Sequence, residues 1–120
     1  MEENFTADPK DVQDNKAMGI LAYLGPLVLV PIFAAKESPF ARFHANQGLI
    51  LLIVAIGLSI ILSILTSILL VISLSLFALT SILTSLFGLC VLVFMILGII
   101  NAAKGEMKEL PFIGKYRIIK

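Results

Sequence analysis

Between Phe43 and Ala103 the chain has no lysine, arginine, aspartate or glutamate, a run of 61 uncharged positions that also lacks proline. A water-soluble domain of that size needs charge on its surface. The absence therefore excludes a soluble fold for half of the protein and places that half in lipid. There is one cysteine, Cys90, inside the apolar run, so no disulfide framework exists and the thiol reads as buried and inert. One histidine, His44, is present, with no carboxylate or cysteine beside it. No serine is accompanied by a positioned histidine and acid, no paired carboxylates sit in a span, and no metal-ligand cluster or glycine-rich phosphate loop occurs. These absences argue against an enzyme and point to no cofactor, metal or small-molecule substrate.

What remains is apolar and asymmetric. The 120 residues make one domain, with 59% hydrophobic content and a mean hydropathy of +1.05. Five acids against Lys10 and Lys16 give the first sixteen residues a balance of −3. Lys36, Glu37 and Arg42 give +1, and the residues after Ala103 give +3. The opening MEENFTADPKDVQDNK is acidic, does not fit a cleaved secretory signal, and is expected to be a disordered tail over residues 1–16. Residues 17–120 then form a single transmembrane helical domain.

The segment Ala17–Ala35 has 19 residues, enough to cover a hydrocarbon core of roughly 30 Å, with Asp14 or Asn15 as its cap. Gly25, Pro26 and Pro31 predict a kink, because each proline frees the carbonyl four residues earlier, at Ala22 and Leu27. A structural kink is preferred to a gating hinge. The 53 residues from Gly48 to Ile100 would make one helix of about 80 Å, too long for one crossing, whereas two crossings fit. The expected fold is an all-α polytopic transmembrane bundle of three spans, about 17–35, 47–72 and 76–103, with a basic tail over 104–120; four spans are the variant. With a turn at Ile72–Ser75, Ser59, Ser63 and Ser67 would face Gly88, Thr84 and Thr80 across a close-packed seam. The rival reading is a hydroxyl-lined pore, disfavoured because no ionisable group lies at depth.

The richest local signal is KESPFARFHANQGL. Ser38 reads as a helix cap and Pro39 as the first helical residue. Phe40 and Phe43 share a face, Arg42 is polar, and His44 and Gln47 lie at the entry to the next span, which predicts a short interfacial helix. His44 is expected to anchor at headgroups or to hydrogen-bond between helices. This element and the closing IINAAKGEMKELPFIGKYRIIK resemble the "SPF-x-RFHA-x-Q" and Leu-Pro-x-Ile-Gly elements of Tic-twenty-like membrane proteins. That family comprises the chloroplast inner-envelope import component and its small bacterial relatives. The resemblance covers about Lys16 to Lys120 and departs in the middle, where the Ser/Thr-rich stretch is longer. It implies a bacterial cytoplasmic-membrane protein and brings a translocation or transport subunit into view.

Basic residues near span ends set the orientation. In three spans the first loop and the C-terminus share the cytoplasmic side and the N-terminus lies outside. The basic KYRIIK end is expected to lie against anionic lipid rather than nucleic acid. The preferred function is a small non-enzymatic structural or accessory membrane component, packed with itself or with a membrane partner. A transport-channel subunit is the alternative.

Overall fold

A computed structural model describes residues 7–118. Its helices are α1 (Pro9–Leu21), α2 (Leu29–Ala34), α3 (Pro39–Ile72) and α4 (Leu74–Ala103), with a 3-10 turn at Gly25–Val28 between α1 and α2. Two of them, α3 with 34 residues and α4 with 30, are long and apolar enough to cross a membrane. They form an antiparallel hairpin broken at Ser73, whose extended backbone (φ −162°) ends one helix while its hydroxyl accepts from Ser75 N–H and caps the next. Large apolar side chains such as Ile60, Ile64, Ile68, Leu83 and Leu86 point outward along both helices. Such a surface needs lipid around it.

The rest of the chain wraps the open end of this hairpin, termed the base here. The core sits there: Ala22, Tyr23, Val28, Phe40, Ala45, Leu51, Ala102 and Leu110 are buried together. The expected disordered tail is corrected from Asp8 onward; the part over residues 1–6 lies outside the described residues. Asp8, rather than Asp14 or Asn15, caps α1 through its side chain, and Pro9 occupies the first turn where an N–H is not needed. Asn15 instead interrupts the helix (φ −123°), its amide donating to the Asp11 carboxylate at 2.8 Å.

The expected continuous first span is also absent. Gly25 adopts φ +64°, a left-handed conformation open to glycine, and the helix ends at Leu21 and resumes only at the 3-10 turn from Gly25, a break instead of a kink. Pro26 lies in the first turn of the 3-10 segment and Pro31 in the first turn of α2, so neither removes a hydrogen bond that its helix requires. The chain dips alongside α3 and returns. Asp11 and Ser38 are hydrogen-bonded at 2.5 Å at the base, whereas the Ala22 carbonyl lies against Gly48, about three turns further along α3. Only Gly48, lacking Cβ, admits that carbonyl.

The N- and C-terminal stretches meet at the base. Gly105 lies so close to Val12 that a Cβ there would come within 2.6 Å of its side chain. Val12 and Gly105 therefore share one end of the hairpin. No separate interfacial helix follows Ala35 either. Pro39 opens α3, which runs unbroken to Ile72.

The seam between α3 and α4 does not bring together the expected hydroxyls. Ser59, Ser63, Ser67 and Thr84 are exposed, Gly88 has open space where a side chain would go, and Thr80 alone of the six is buried. The residues turned inward keep close to a 3.5-residue average: Leu62, Thr66, Leu69 and Ser73 on one side, and Phe77, Thr80, Phe87 and Val91 on the other, with a seven-residue step across the exposed Thr84. A stripe of every fourth residue winds about 40° per step around a helix and leaves a straight contact, whereas a 3.5-residue average stays on it. The hydroxyls bond their own helix instead: Ser67 to Ser63 O at 2.8 Å, Thr84 to Thr80 O at 2.9 Å. Cys90, expected to be buried, is exposed on the outer face of α4.

Candidate functional site

The first three turns of α3 carry nearly every polar contact that crosses between elements. Ser38 caps the helix by accepting from Ala41 N–H at 3.0 Å, and its hydroxyl donates to Asp11. The second oxygen of Asp11 accepts Phe40 N–H at 3.0 Å; since Pro39 has no N–H and Ser38 N–H donates to the Ala35 carbonyl, every amide at this helix start has a partner. A carboxylate at a helix N-terminus also meets the positive end of the helix dipole. Burial would raise the Asp11 pKa. The bonds from Ser38, Phe40 and Asn15 outweigh it, and together hold the carboxyl below its ordinary 3.8.

One turn further, His44 is fully buried and bonded on both ring nitrogens. Nε2 lies 2.8 Å from the carbonyl of Glu106, which can only accept, so Nε2 carries the proton. Nδ1 then accepts from the Tyr23 hydroxyl at 2.6 Å. The Tyr23, Phe40 and Phe43 rings pack edge-on around the imidazole, with centroids 5.5, 4.7 and 5.2 Å away. His44 is too deeply buried for a headgroup to reach, and its hydrogen bonds run not between helices but from α3 to Tyr23 and Glu106 in the segments flanking them. Phe40 and Phe43, expected on a membrane-facing surface, are core residues. Tyr23 was not among the expected site residues; its ring packs on Gly98 of α4, which leaves room for it.

Gln47 and Asn46 hold the C-terminal segment. The Gln47 side-chain oxygen accepts Leu110 N–H at 2.8 Å, and its amide donates to the Gly114 carbonyl at 2.8 Å. Asn46 accepts from Ile118 N–H at 3.0 Å and donates to the Arg42 carbonyl. Arg117 pairs with Glu109 at 2.7 Å, donates to Gly114 O and lies over the Phe43 ring at 5.2 Å. The closing segment is thus folded back along α3 through residue 118. Gly25, Pro26 and Pro31 form the dipping segment, and Gly25 borders an apolar recess of about 50 Å³ with Tyr23, Gly48, Leu51, Val91 and Met95.

Chemically, this arrangement binds parts of the chain to one another. The buried polar side chains of the base (Ser38, His44, Asn46 and Gln47) are hydrogen-bonded within the protein, as is Thr80 of the hairpin, whereas the buried Thr66 hydroxyl has no partner. Among the described residues no three His, Cys, Asp or Glu side chains gather as metal ligands. No curated protein and no solved structure matches the chain. The model of a family other than the Tic-twenty-like proteins does match, over residues 14–119, so that resemblance is overturned and lends no support to a transport role. Because the match takes in the dipping segment, the clasp on α3, the hairpin and the closing turn, the chain belongs to the MamF/MmsF magnetosome magnetite crystal formation protein family.

Proposed function

We propose that this protein is a non-enzymatic structural component of the membrane in which its family supports magnetite crystal formation. It would act through its placement and its packing with lipid, further copies or a membrane partner. The observation that carries this reading is the use of His44, Asn46, Gln47 and Asp11 to tie both ends of the chain to the base. Side chains committed to such bonds hold a shape and are not available to a substrate.

The arrangement in the bilayer follows. Two crossings, by α3 and α4, replace the expected three, because the dipping segment returns to the base. The described Lys and Arg residues, from Lys10 to Arg117, fall at or beside the base, and the tip at Ser73 carries no charge. By the positive-inside rule the base and both termini face the cytoplasm of a bacterial membrane, here the magnetosome membrane. Single cysteines at Glu3, Ser73 and Lys120, introduced after Cys90→Ala, test this by labelling of sealed and inverted vesicles. Labelling of Glu3 from the side opposite Lys120 would sink the two-span arrangement.

The non-enzymatic role has its own test. A glutamine at position 44 can accept from Tyr23 and donate to the Glu106 carbonyl, but cannot perform imidazole acid–base chemistry. In cells carrying only the His44→Gln protein, magnetite crystals keep their normal size, whereas His44→Leu gives the phenotype of the deletion. A folded His44→Gln protein as defective as the deletion would refute the structural reading.

A further inference from the structure

Two exposed aromatics at the base lie beside lysines. Phe33 of α2 is 67% exposed, and the Lys36 ammonium lies 5.9 Å from its ring centre. Tyr116, 54% exposed, has the Lys115 ammonium 5.3 Å from its ring centre. These pairs stand on separate elements, one before α3 and one after α4. Between Leu110 and Gly114, Phe112 is 88% exposed and adopts φ +67°, a left-handed conformation rare for an aromatic residue. Gln47 fixes that turn from both sides, so the ring is held outward.

Depth along the hairpin says what these rings meet. The helix from Gly48 to Ile72 has 25 residues and rises about 37 Å, some 7 Å more than the hydrocarbon thickness of roughly 30 Å. With the tip at Ser73 reaching one interface, the level of Gln47 and its turn falls in the headgroup layer of the other leaflet. Aromatic rings whose neighbouring lysines reach toward lipid phosphates suit that layer.

We propose that Phe33–Lys36 and Phe112–Lys115–Tyr116 form an interfacial collar that seats the base of the hairpin in the headgroup layer of an anionic leaflet. The collar rests on the membrane-hairpin reading and adds the depth and the lipid class. The aromatic bodies enter the acyl boundary, and Lys36 and Lys115 take the phosphates. The collar fixes how far the base stands from the bilayer, which a plain two-helix hairpin cannot do, since both helices slide along their axes at little cost.

The protein has no tryptophan, so one introduced tryptophan reports its own surroundings. Phe112→Trp protein in vesicles of phosphatidylcholine and phosphatidylglycerol should show blue-shifted emission. That emission should be lost to lipids brominated near the headgroup and kept with lipids brominated near the chain end. Tyr116→Trp, as a second reporter should Phe112→Trp misfold, should behave alike. Ile64→Trp, about 13 Å from the Ser73 tip along α3 and so near the bilayer centre, should show the reverse depth preference. Water-like, iodide-quenched emission at positions 112 and 116 with lipid quenching at Ile64 overturns the collar and leaves the hairpin standing. Blue-shifted emission at 112 that no brominated lipid quenches means a protein partner covers the ring, and also overturns the collar. An Ile64 reporter untouched by lipid overturns the membrane hairpin itself.

Discussion

The Tyr23 hydroxyl and the His44 Nδ1 stand 2.6 Å apart, joining the dipping segment to the first turns of α3 in a buried site. Tyr23→Phe leaves the ring on Gly98 and strands Nδ1 without its donor. An unpaired buried acceptor costs about 1–3 kcal/mol. Thermal unfolding in detergent should fall accordingly, with helix content by circular dichroism unchanged at low temperature.

Glycine substitutions separate close approach from spacing alone. Gly48→Ala drives a methyl into the Ala22 carbonyl, and Gly98→Ala drives one into the Tyr23 ring. Each should destabilise by about 1–3 kcal/mol, the usual range for overpacking. Gly88→Ala meets open space and removes glycine from a helix interior, so it should be neutral or stabilising by up to about 1 kcal/mol. Denaturant titration of the three variants in one detergent checks the order.

The clasp on the C-terminal segment has a proteolytic signature. Gln47→Leu keeps the helix and leaves the Leu110 N–H and Gly114 carbonyl without their side-chain partner. Trypsin should then cut after Lys108 and Lys115 faster than in the parent protein. Cleavage within the uncharged hairpin should not change.

Asp11 makes the attachment of α1 acid-sensitive. Its folded pKa lies below the ordinary 3.8, so its contribution is fully present above that value and is lost as pH falls through the folded pKa. The Phe40 amide resonance, shifted by its bond to the carboxylate, should move toward its unbonded position on acidification below about pH 4. In Asp11→Asn it should stay flat over the same range.

The sequence carried the all-helical, membrane-type character openly, because a 61-residue stretch without charge has no other physical home. Ser38 and Pro39 were equally visible, since capping is decided within one helical turn. The hairpin seam was less legible. Ser59, Ser63 and Ser67 look like an interface by spacing, yet a hydroxyl that bonds its own helix carries no information about which face turns inward. The broken first segment was missed because Pro26 and Pro31 are compatible with a kinked span and with a break. The sign of Gly25 φ distinguishes the two, and only the folded chain shows it. The clasp left no local trace. Gln47 and its partners are separated by 63 and 67 positions, and nothing near Gln47 names Leu110 or Gly114.

That separation also sets an order of events during synthesis. When α3 leaves the ribosome, His44, Asn46 and Gln47 are in place, but the backbone groups that complete their bonding at Glu106, Leu110, Gly114 and Ile118 have yet to be made. The hairpin can enter the bilayer first, and the base closes only when the last dozen or so residues emerge. A chain cut short at Gly105 would carry both long helices into the membrane with its polar entry turns uncovered. A quality-control protease could tell that product from the finished protein by the open base alone.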